Sequence, residues 1–213
     1  KLCSEQLSSQ RHYDYGMRAV KTVIVAAGNL KMADPDQVEQ KLLYRALQDV
    51  NVPKFLAHDL PLFAGILSDL FPGISRPYFD YGTLLTSIKL SAERQGRLPT
   101  TYFTTKCIEL YEMICVRHGL MIVGPAGGGK SSNYKCLQAA LTRLNEKSIE
   151  GIKYEKVLVY HLNPKSITLG QLYGAFDPNT HEWEDGILPV MIRMCIKSMT
   201  VDLKWMYFDG PVD

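Results

Sequence analysis

A glycine-rich segment at residues 124–131 carries the clearest chemical signal in the chain. Its sequence, Gly-Pro-Ala-Gly-Gly-Gly-Lys-Ser, matches the Walker A pattern G-x-x-x-x-G-K-[ST] at every fixed position. The glycines at 127–129 allow backbone dihedrals that a Cβ would forbid, so successive N–H groups can surround an anion. We expect Lys130 to reach the β- and γ-phosphates of a nucleotide and Ser131 to hold Mg²⁺. The predicted nucleotide-binding residues are Gly124, Pro125, Ala126, Gly127, Gly128, Gly129, Lys130, Ser131 and Ser132.

The sequence on either side of this loop predicts the local fold that a Walker A motif needs. A short apolar run at residues 120–123 predicts a strand before the loop. After the loop, apolar residues at three- and four-residue spacing predict a helix, namely Tyr134, Leu137, Leu141 and Leu144. A chance match in a glycine-rich loop would not require this order. We therefore interpret the segment as a phosphate-binding loop at a helix N-terminus.

A second segment, residues 204–209, reads as an apolar strand that ends in Asp209. This is the Walker B form, in which a strand delivers one carboxylate to the Mg²⁺ shell. The alternative is an ordinary buried strand with a capping aspartate. A further predicted strand at residues 157–160 lies between the two motifs and favours Asp209 as a metal-shell residue.

The residue after Asp209 limits the chemistry of the predicted site. Many P-loop ATPases have a glutamate there to polarise the attacking water, whereas this chain has Gly210 followed by Pro211. A missing general base typically lowers the rate by about 10²- to 10⁴-fold. Asp213 is a weak substitute because Pro211 makes the local path irregular. The motifs therefore predict tight nucleotide binding with slow or absent turnover.

Composition excludes several classes of protein. The 213 residues are 46% hydrophobic and 22% charged, and the net charge of +2 is too small for nucleic-acid binding to be implied. No apolar run approaches the ~20 residues of a membrane helix, so no membrane contact is expected. The five cysteines are widely spaced, which predicts buried free thiols and a reducing, cytoplasmic setting. They are Cys3, Cys107, Cys115, Cys136 and Cys195.

Hydrophobic periodicity divides the chain into a helical part and an α/β part. Helices are predicted at residues 4–10, 16–27, 36–50, 61–70 and 80–93, with Gly28-Asn29 as a C-cap. A polar linker is predicted at 96–105 and a helix at 106–117. From residue 120 onward strands and helices alternate, which predicts a parallel sheet. Within that part we expect a turn at 183–186 and a helix at 187–198.

Several specific segments resemble axonemal dynein heavy chains, within their ring of AAA+ modules. The resemblance covers most of the chain and lies in residues 2–10, 12–21, 70–73, 163–165, 170–174, 177–178, 181–183 and 208–213. It implies a helical small (lid) domain of the first module at 1–97. The partial P-loop large domain of the second module would follow at 98–213, truncated at the Walker B strand.

The resemblance also implies roles that the residues alone do not establish. Arg18 would be the sensor-2 arginine of the first module, although by itself it reads as a surface helix arginine. The second module would hold ATP (or ADP) and Mg²⁺ with little hydrolysis. Partners would be the rest of the heavy-chain ring and linker and other dynein subunits, with microtubules reached only through distant parts. The setting would be the axoneme of a cilium or flagellum.

Two other functions remain open from the sequence. A self-contained P-loop enzyme, such as a kinase or nucleotidase, would need a base or an acceptor site, and none is evident. A purely structural fragment with an empty loop would have no response to ATP. A steady-state phosphate-release assay and nucleotide-dependent melting distinguish these functions from slow nucleotide binding.

Overall fold

The computed structural model describes residues 1–74, 81–147 and 154–210 of the chain. Residues 211–213, including Pro211 and Asp213, lie outside the described residues. Within the described ranges the helices are α1 (Leu2–Gln6), α2 (Met17–Ala33), α3 (Glu39–Asn51), α4 (Leu60–Leu70), α5 (Gly82–Arg94), α6 (Thr101–Val116), α7 (Lys130–Lys147), α8 (Leu169–Tyr173) and α9 (Ile187–Lys197), with short 3₁₀ turns at Val52–Lys54 and Pro164–Ser166. The strands are β1 (Val157–Leu162), β2 (Gly174–Phe176), β3 (Trp183–Asp185) and β4 (Leu203–Phe208).

The chain forms two structural units. The first contains Lys1–Leu85 and Pro99–Tyr134, and the second contains Thr86–Leu98 and Lys135–Asp213. Both α5 and α7 contribute residues to the two units. The predicted assignment of residues 1–97 and 98–213 to parts of two modules stays a prediction.

The first unit is held by apolar faces of its helices. Val23 and Ala26 of α2 cluster with Ala46 and Val50 of α3, and the last two are fully buried. Their three- and four-residue spacing places each pair on one side of its helix. Full burial of one valine side chain contributes about 1.5–3 kcal/mol to stability.

A second cluster in this unit joins α1 to α4. Leu7, just after α1, packs with Tyr44 of α3 and with Phe63 and Leu67 of α4. Helix α4 carries Pro61 in its first turn, where the missing N–H of proline costs no helical hydrogen bond. The predicted helix at 61–70 is confirmed.

The second unit contains a parallel pair of strands. Strand β1 pairs with β4 from Val157 opposite Leu203 to Leu162 opposite Phe208. The strands predicted at 157–160 and 204–209 are therefore confirmed, as is the parallel arrangement. The helix predicted at 187–198 is α9, which ends one residue earlier.

The predicted turn at 183–186 is wrong, because β3 lies there and pairs antiparallel with β2. The Asp177 side chain makes the connection: its Oδ1 accepts hydrogen bonds from the N–H groups of Asn179 (2.7 Å) and Thr180 (2.8 Å). Phe176 and Trp183 face each other edge to face with ring centroids 5.1 Å apart. A strand of three exposed residues has too short an alternation to be read from sequence.

Two predicted boundaries in the helical part are also wrong. Helix α2 passes through Gly28 and ends at Ala33, because the N–H of Asp34 still bonds to the Leu30 carbonyl and Gly28 has no positive φ. Helix α6 begins at Thr101, inside the predicted linker. The Thr100 side chain caps α6 by accepting a hydrogen bond from the Phe103 N–H at 3.2 Å.

The strand predicted at residues 120–123 is not formed. These residues carry no helix or strand, and the exposed fractions of Met121 and Val123 are 74% and 86%. A strand exists through hydrogen bonds to a neighbour, and apolarity alone does not supply one. Within the described part of the chain, no backbone hydrogen bond joins residues 120–123 to a partner strand.

All five cysteines are free thiols, as predicted, but they are not all buried. Cys107 and Cys136 are buried, Cys3 and Cys195 are partly buried, and Cys115 is exposed. None of the helices in the described ranges is both long enough and apolar enough to span a membrane.

Candidate nucleotide-binding site

The Walker A loop lies in the first unit and has the backbone geometry of an anion-binding loop. Gly127 and Gly129 have φ values of +77° and +82°, in the left-handed region that favours glycine. Helix α7 begins directly afterwards at Lys130, and the N–H of Asn133 bonds to the Gly129 carbonyl at 2.9 Å. The N–H groups of the first turn of α7 have no intrahelical acceptor, so they are donors for a ligand at this end.

Gly128 marks the tightest point of the loop. A Cβ at this position would lie 3.0 Å from the Pro125 carbonyl oxygen, and the Gly128 N–H donates to that same oxygen at 3.1 Å. A larger residue would require the Pro125 carbonyl to shift by a few tenths of an ångström. Glycine is therefore favoured here by space, and at 127 and 129 by dihedral angle.

Lys130 lies back across the loop that precedes it. Its Nζ donates to the carbonyl oxygens of Gly124 at 2.8 Å and Pro125 at 2.7 Å. The ammonium is thus held at the loop, within reach of any anion that the loop amides surround. The glycine conformations, the free end of α7 and this ammonium fit a nucleoside triphosphate.

The remaining predicted loop residues differ in exposure. Pro125, Ala126 and Ser131 are exposed, and Ser132 is half-buried. Ser131 occupies the first turn of α7 next to Lys130, where a hydroxyl can serve as an oxygen ligand for Mg²⁺. Its predicted metal role stays a prediction.

Asp209 lies in the second unit, directly after β4. Its N–H donates to the Leu162 carbonyl at 2.9 Å, which extends the pairing of β1 and β4 by one bond, and its side chain is exposed. The position at the carboxyl end of a parallel strand is the one predicted for a Walker B aspartate. Its place in a Mg²⁺ shell stays a prediction.

Gly210 has a constraint that the sequence does not reveal. Its φ is +153°, and a Cβ there would lie 3.1 Å from Oδ1 of Asn163. Asn163 is held in place because the same oxygen accepts a hydrogen bond from the Lys165 N–H at 3.1 Å. The position that carries glutamate in many P-loop ATPases is therefore unfavourable for any side chain here.

Two further residues of the first unit, Arg18 and Asn133, lie outside the Walker A loop. Arg18 is exposed in the first turn of α2, which is compatible with a surface role and with the predicted sensor role. Asn133, one turn after Lys130, was not predicted from sequence. It is 9% exposed and its Oδ1 has no hydrogen-bond partner. The Walker A pattern does not extend to this residue, so no motif pointed to it.

Comparison with known proteins defines the class of this chain. A protein-family profile described as the hydrolytic ATP-binding site of the dynein motor region matches residues 1–131. Since the match covers more than half of the chain, the chain belongs to this dynein motor-region family. The combination of helices with a parallel strand pair is consistent with an AAA+ segment.

Individual relatives narrow the family to axonemal dynein heavy chains, as the sequence predicted. The chain is 57% identical over 214 aligned residues to dynein axonemal heavy chain 1 of Rattus norvegicus and 56% identical to that of Homo sapiens. It is 53% identical to dynein axonemal heavy chain 3 of Mus musculus. Each alignment covers 100% of this chain and 5% of the relative, so the chain spans about a twentieth of their length.

Proposed function

We propose that this chain is an ATP-binding AAA+ segment of an axonemal dynein heavy chain, and that its Walker A loop holds ATP (or ADP) and Mg²⁺ with little hydrolysis. One observation carries the binding part. Gly127 and Gly129 take positive φ values immediately before α7 begins at Lys130. A loop of this form points its amides at a phosphate.

Each residue of the site has a distinct task in this proposal. The amides of residues 127–132 bind phosphate oxygens, and Lys130 exchanges its two carbonyl partners for phosphate. Ser131 would supply an oxygen ligand to the metal. Asp209 is proposed as a metal-shell residue from its motif position alone. Bound Mg²⁺ would neutralise part of the phosphate charge.

The proposal of low hydrolysis depends on Gly210. This residue carries no base, and its φ of +153° and its distance to Asn163 disfavour one. The family description names a hydrolytic site, and its match to this chain runs through the Walker A loop to Ser131 but does not reach Asp209 or Gly210. We assign the hydrolytic site to the first module, to which residues 1–97 would belong, with Arg18 as its sensor-2 arginine.

Exposed apolar side chains support a place within a larger assembly. On α9, Val190, Met194 and Ile196 are exposed to 52%, 49% and 76%. Apolar surface of this kind marks contact with other protein. The partners in this proposal are the rest of the heavy-chain ring and linker and other dynein subunits, in the axoneme. Microtubules would be reached through distant parts of the parent motor.

Thermal melting with and without Mg·ATP tests the binding. We expect ATP to raise the melting temperature of the 213-residue chain and of Lys147→Ala, which removes an exposed lysine at the far end of α7. We expect no rise for Lys130→Ala, because the phosphates lose their cationic partner.

Phosphate release measured on the same proteins tests the slow turnover. We expect release close to the rate of a blank for all three. Fast release that Lys130→Ala abolishes would instead identify a self-contained P-loop enzyme. Absence of any melting shift at saturating Mg·ATP would favour a structural segment.

A further inference from the structure

A positively charged cavity lies entirely within the second unit. It has a volume of about 670 Å³ and is bordered by the end of α5, the outer face of α7 and β1. Four cationic side chains line it against a single carboxylate, that of Glu146. The cations are Arg94, Arg97, Lys135 and Arg143.

Hydrogen bonds fix the walls of this cavity. The Ser87 hydroxyl donates to the Ala140 carbonyl at 3.0 Å and the Cys136 thiol donates to the Ile88 carbonyl at 3.4 Å, which joins α5 to α7. The Gln138 amide donates to the Val157 carbonyl at 3.2 Å, which joins α7 to β1. The cavity is therefore formed before any ligand arrives, which lowers the entropic cost of binding.

Two buried donors at the cavity lack an acceptor. Ser91 is 1% exposed and lines the cavity, and its Oγ has no hydrogen-bond partner. Nη1 of Arg143 is also buried and also has none. In the described ranges, Arg94, Lys135 and Arg143 form no ion pair. Buried polar groups are normally paired, so these two unpaired donors favour an acceptor-rich group bound beside them.

We infer that this cavity binds a small molecule that carries two or more phosphate groups. Its volume is in the range of small-molecule sites. Guanidinium groups bind phosphate oxygens in pairs, and several of them converging on one cavity suit clustered phosphates better than a single anion. This site uses none of the Walker A residues and is independent of the proposed function.

Calorimetric titration with inorganic tripolyphosphate tests the inference. The protein carries Lys130→Ala, so that the Walker A loop does not contribute. We expect binding in this background and a weakening of about tenfold or more when Arg143→Gln is added, since one charge-assisted pair is lost. Arg94→Gln, at an exposed position, should weaken binding in the same direction without a risk to folding. Ser91→Ala should also weaken it.

The matched control is Lys89→Gln, an exposed lysine on α5 that does not line the cavity. It should leave the affinity unchanged, and orthophosphate should bind at least about tenfold more weakly than tripolyphosphate. Absence of binding, equal weakening by Lys89→Gln, orthophosphate affinity equal to that of tripolyphosphate, or tighter binding of a glutamate-rich peptide would each overturn the inference.

The result separates this site from the Walker A loop. If Lys130→Ala fails to reduce ATP binding, the proposed function is wrong. The effects of Arg94→Gln and Arg143→Gln on tripolyphosphate still decide the cavity.

Discussion

At the scale of single residues, the glycines of this chain differ in whether their backbone conformation could accept a side chain. Gly129 has a φ of +82° with open space around it, so only its dihedral angle excludes a side chain. Gly28 lies inside α2 with no positive φ, and no atom lies within 4 Å of the point where a methyl group would sit. The same substitution should therefore have opposite effects at the two sites.

We expect Gly28→Ala to stabilise the chain by about 0.5–1 kcal/mol, because alanine is the better helix former and loses less entropy on folding. Gly129→Ala should destabilise it by about 1–2 kcal/mol, the cost of a left-handed residue with a Cβ. It should also weaken Mg·ATP binding. Urea unfolding of both variants measures the difference. A loss of stability in Gly28→Ala would contradict the helical conformation of Gly28 and would support the C-cap that the sequence predicted.

Gly210 allows a test of the slow turnover that we propose. Gly210→Glu supplies the missing acid but places a Cβ at φ +153° and 3.1 Å from Oδ1 of Asn163. We expect a loss of about 1–3 kcal/mol from backbone strain alone and no gain in phosphate release.

A double-mutant cycle with Asn163→Ala isolates the contact between these two positions. We expect the double variant to be more stable than the sum of the single changes implies. Strict additivity would show that the Asn163 side chain does not crowd residue 210.

At the scale of elements, a buried carboxylate ties the N-terminal segment to α4. Asp59 is 2% exposed and accepts hydrogen bonds from the Ser8 hydroxyl (2.5 Å), the Ser8 N–H (3.2 Å) and the Tyr13 hydroxyl (2.7 Å). The Leu56 N–H donates in turn to the Tyr13 oxygen at 2.7 Å. The Ser8 and Tyr13 donors hold the pKa of Asp59 below its usual value.

This shift predicts how stability depends on pH. A folded-state pKa below the unfolded value of about 3.9 gives stability that is present above that pH and is lost as pH falls through the folded pKa. We expect Asp59→Asn to be less stable at pH 7 and to lose less stability than the wild type between pH 5 and acid conditions. Urea unfolding at several pH values measures this.

Asp69→Asn, an exposed aspartate on α4, is the matched control. It should keep the pH profile of the wild type. A profile for Asp59→Asn identical to that of the wild type would show that other carboxylates govern acid sensitivity.

Apolar segments of the sequence predict some elements correctly and others wrongly. Helix α4 and strands β1 and β4 were predicted from apolar segments of suitable length. The antiparallel β2–β3 pair was missed because a strand of three residues has no period to detect. Residues 120–123 were overpredicted because a strand needs a partner that local sequence does not supply.

Some features of the candidate site could likewise be predicted from the sequence, and others could not. The Walker A residues and Asp209 follow from fixed spacing, since phosphate chemistry demands those residue types in that order. The restriction on Gly210 depends on Asn163, 47 positions away, and the charged cavity depends on residues of α5, α7 and β1. Contacts between distant segments leave no local pattern.

At the scale of the whole molecule, nucleotide binding is coupled to stability. A ligand that binds only the folded form contributes about 4 kcal/mol at a thousandfold excess over Kd. For a chain of this size, each kcal/mol raises the melting temperature by about 2–4 °C. The melting shift proposed for Mg·ATP should therefore approach about 10 °C, large enough that its disappearance in Lys130→Ala is unambiguous.

The position of Lys130 has a consequence for selectivity. Its ammonium already donates hydrogen bonds to the carbonyl oxygens of Gly124 and Pro125. A ligand must therefore bind the ammonium more strongly than these two neutral carbonyl groups do. A nucleoside without phosphates has no charged group that could replace the two carbonyl oxygens, so we expect Lys130 to keep both of these hydrogen bonds. In the proposed site, Lys130 would therefore select for anionic phosphates and would not distinguish one base from another.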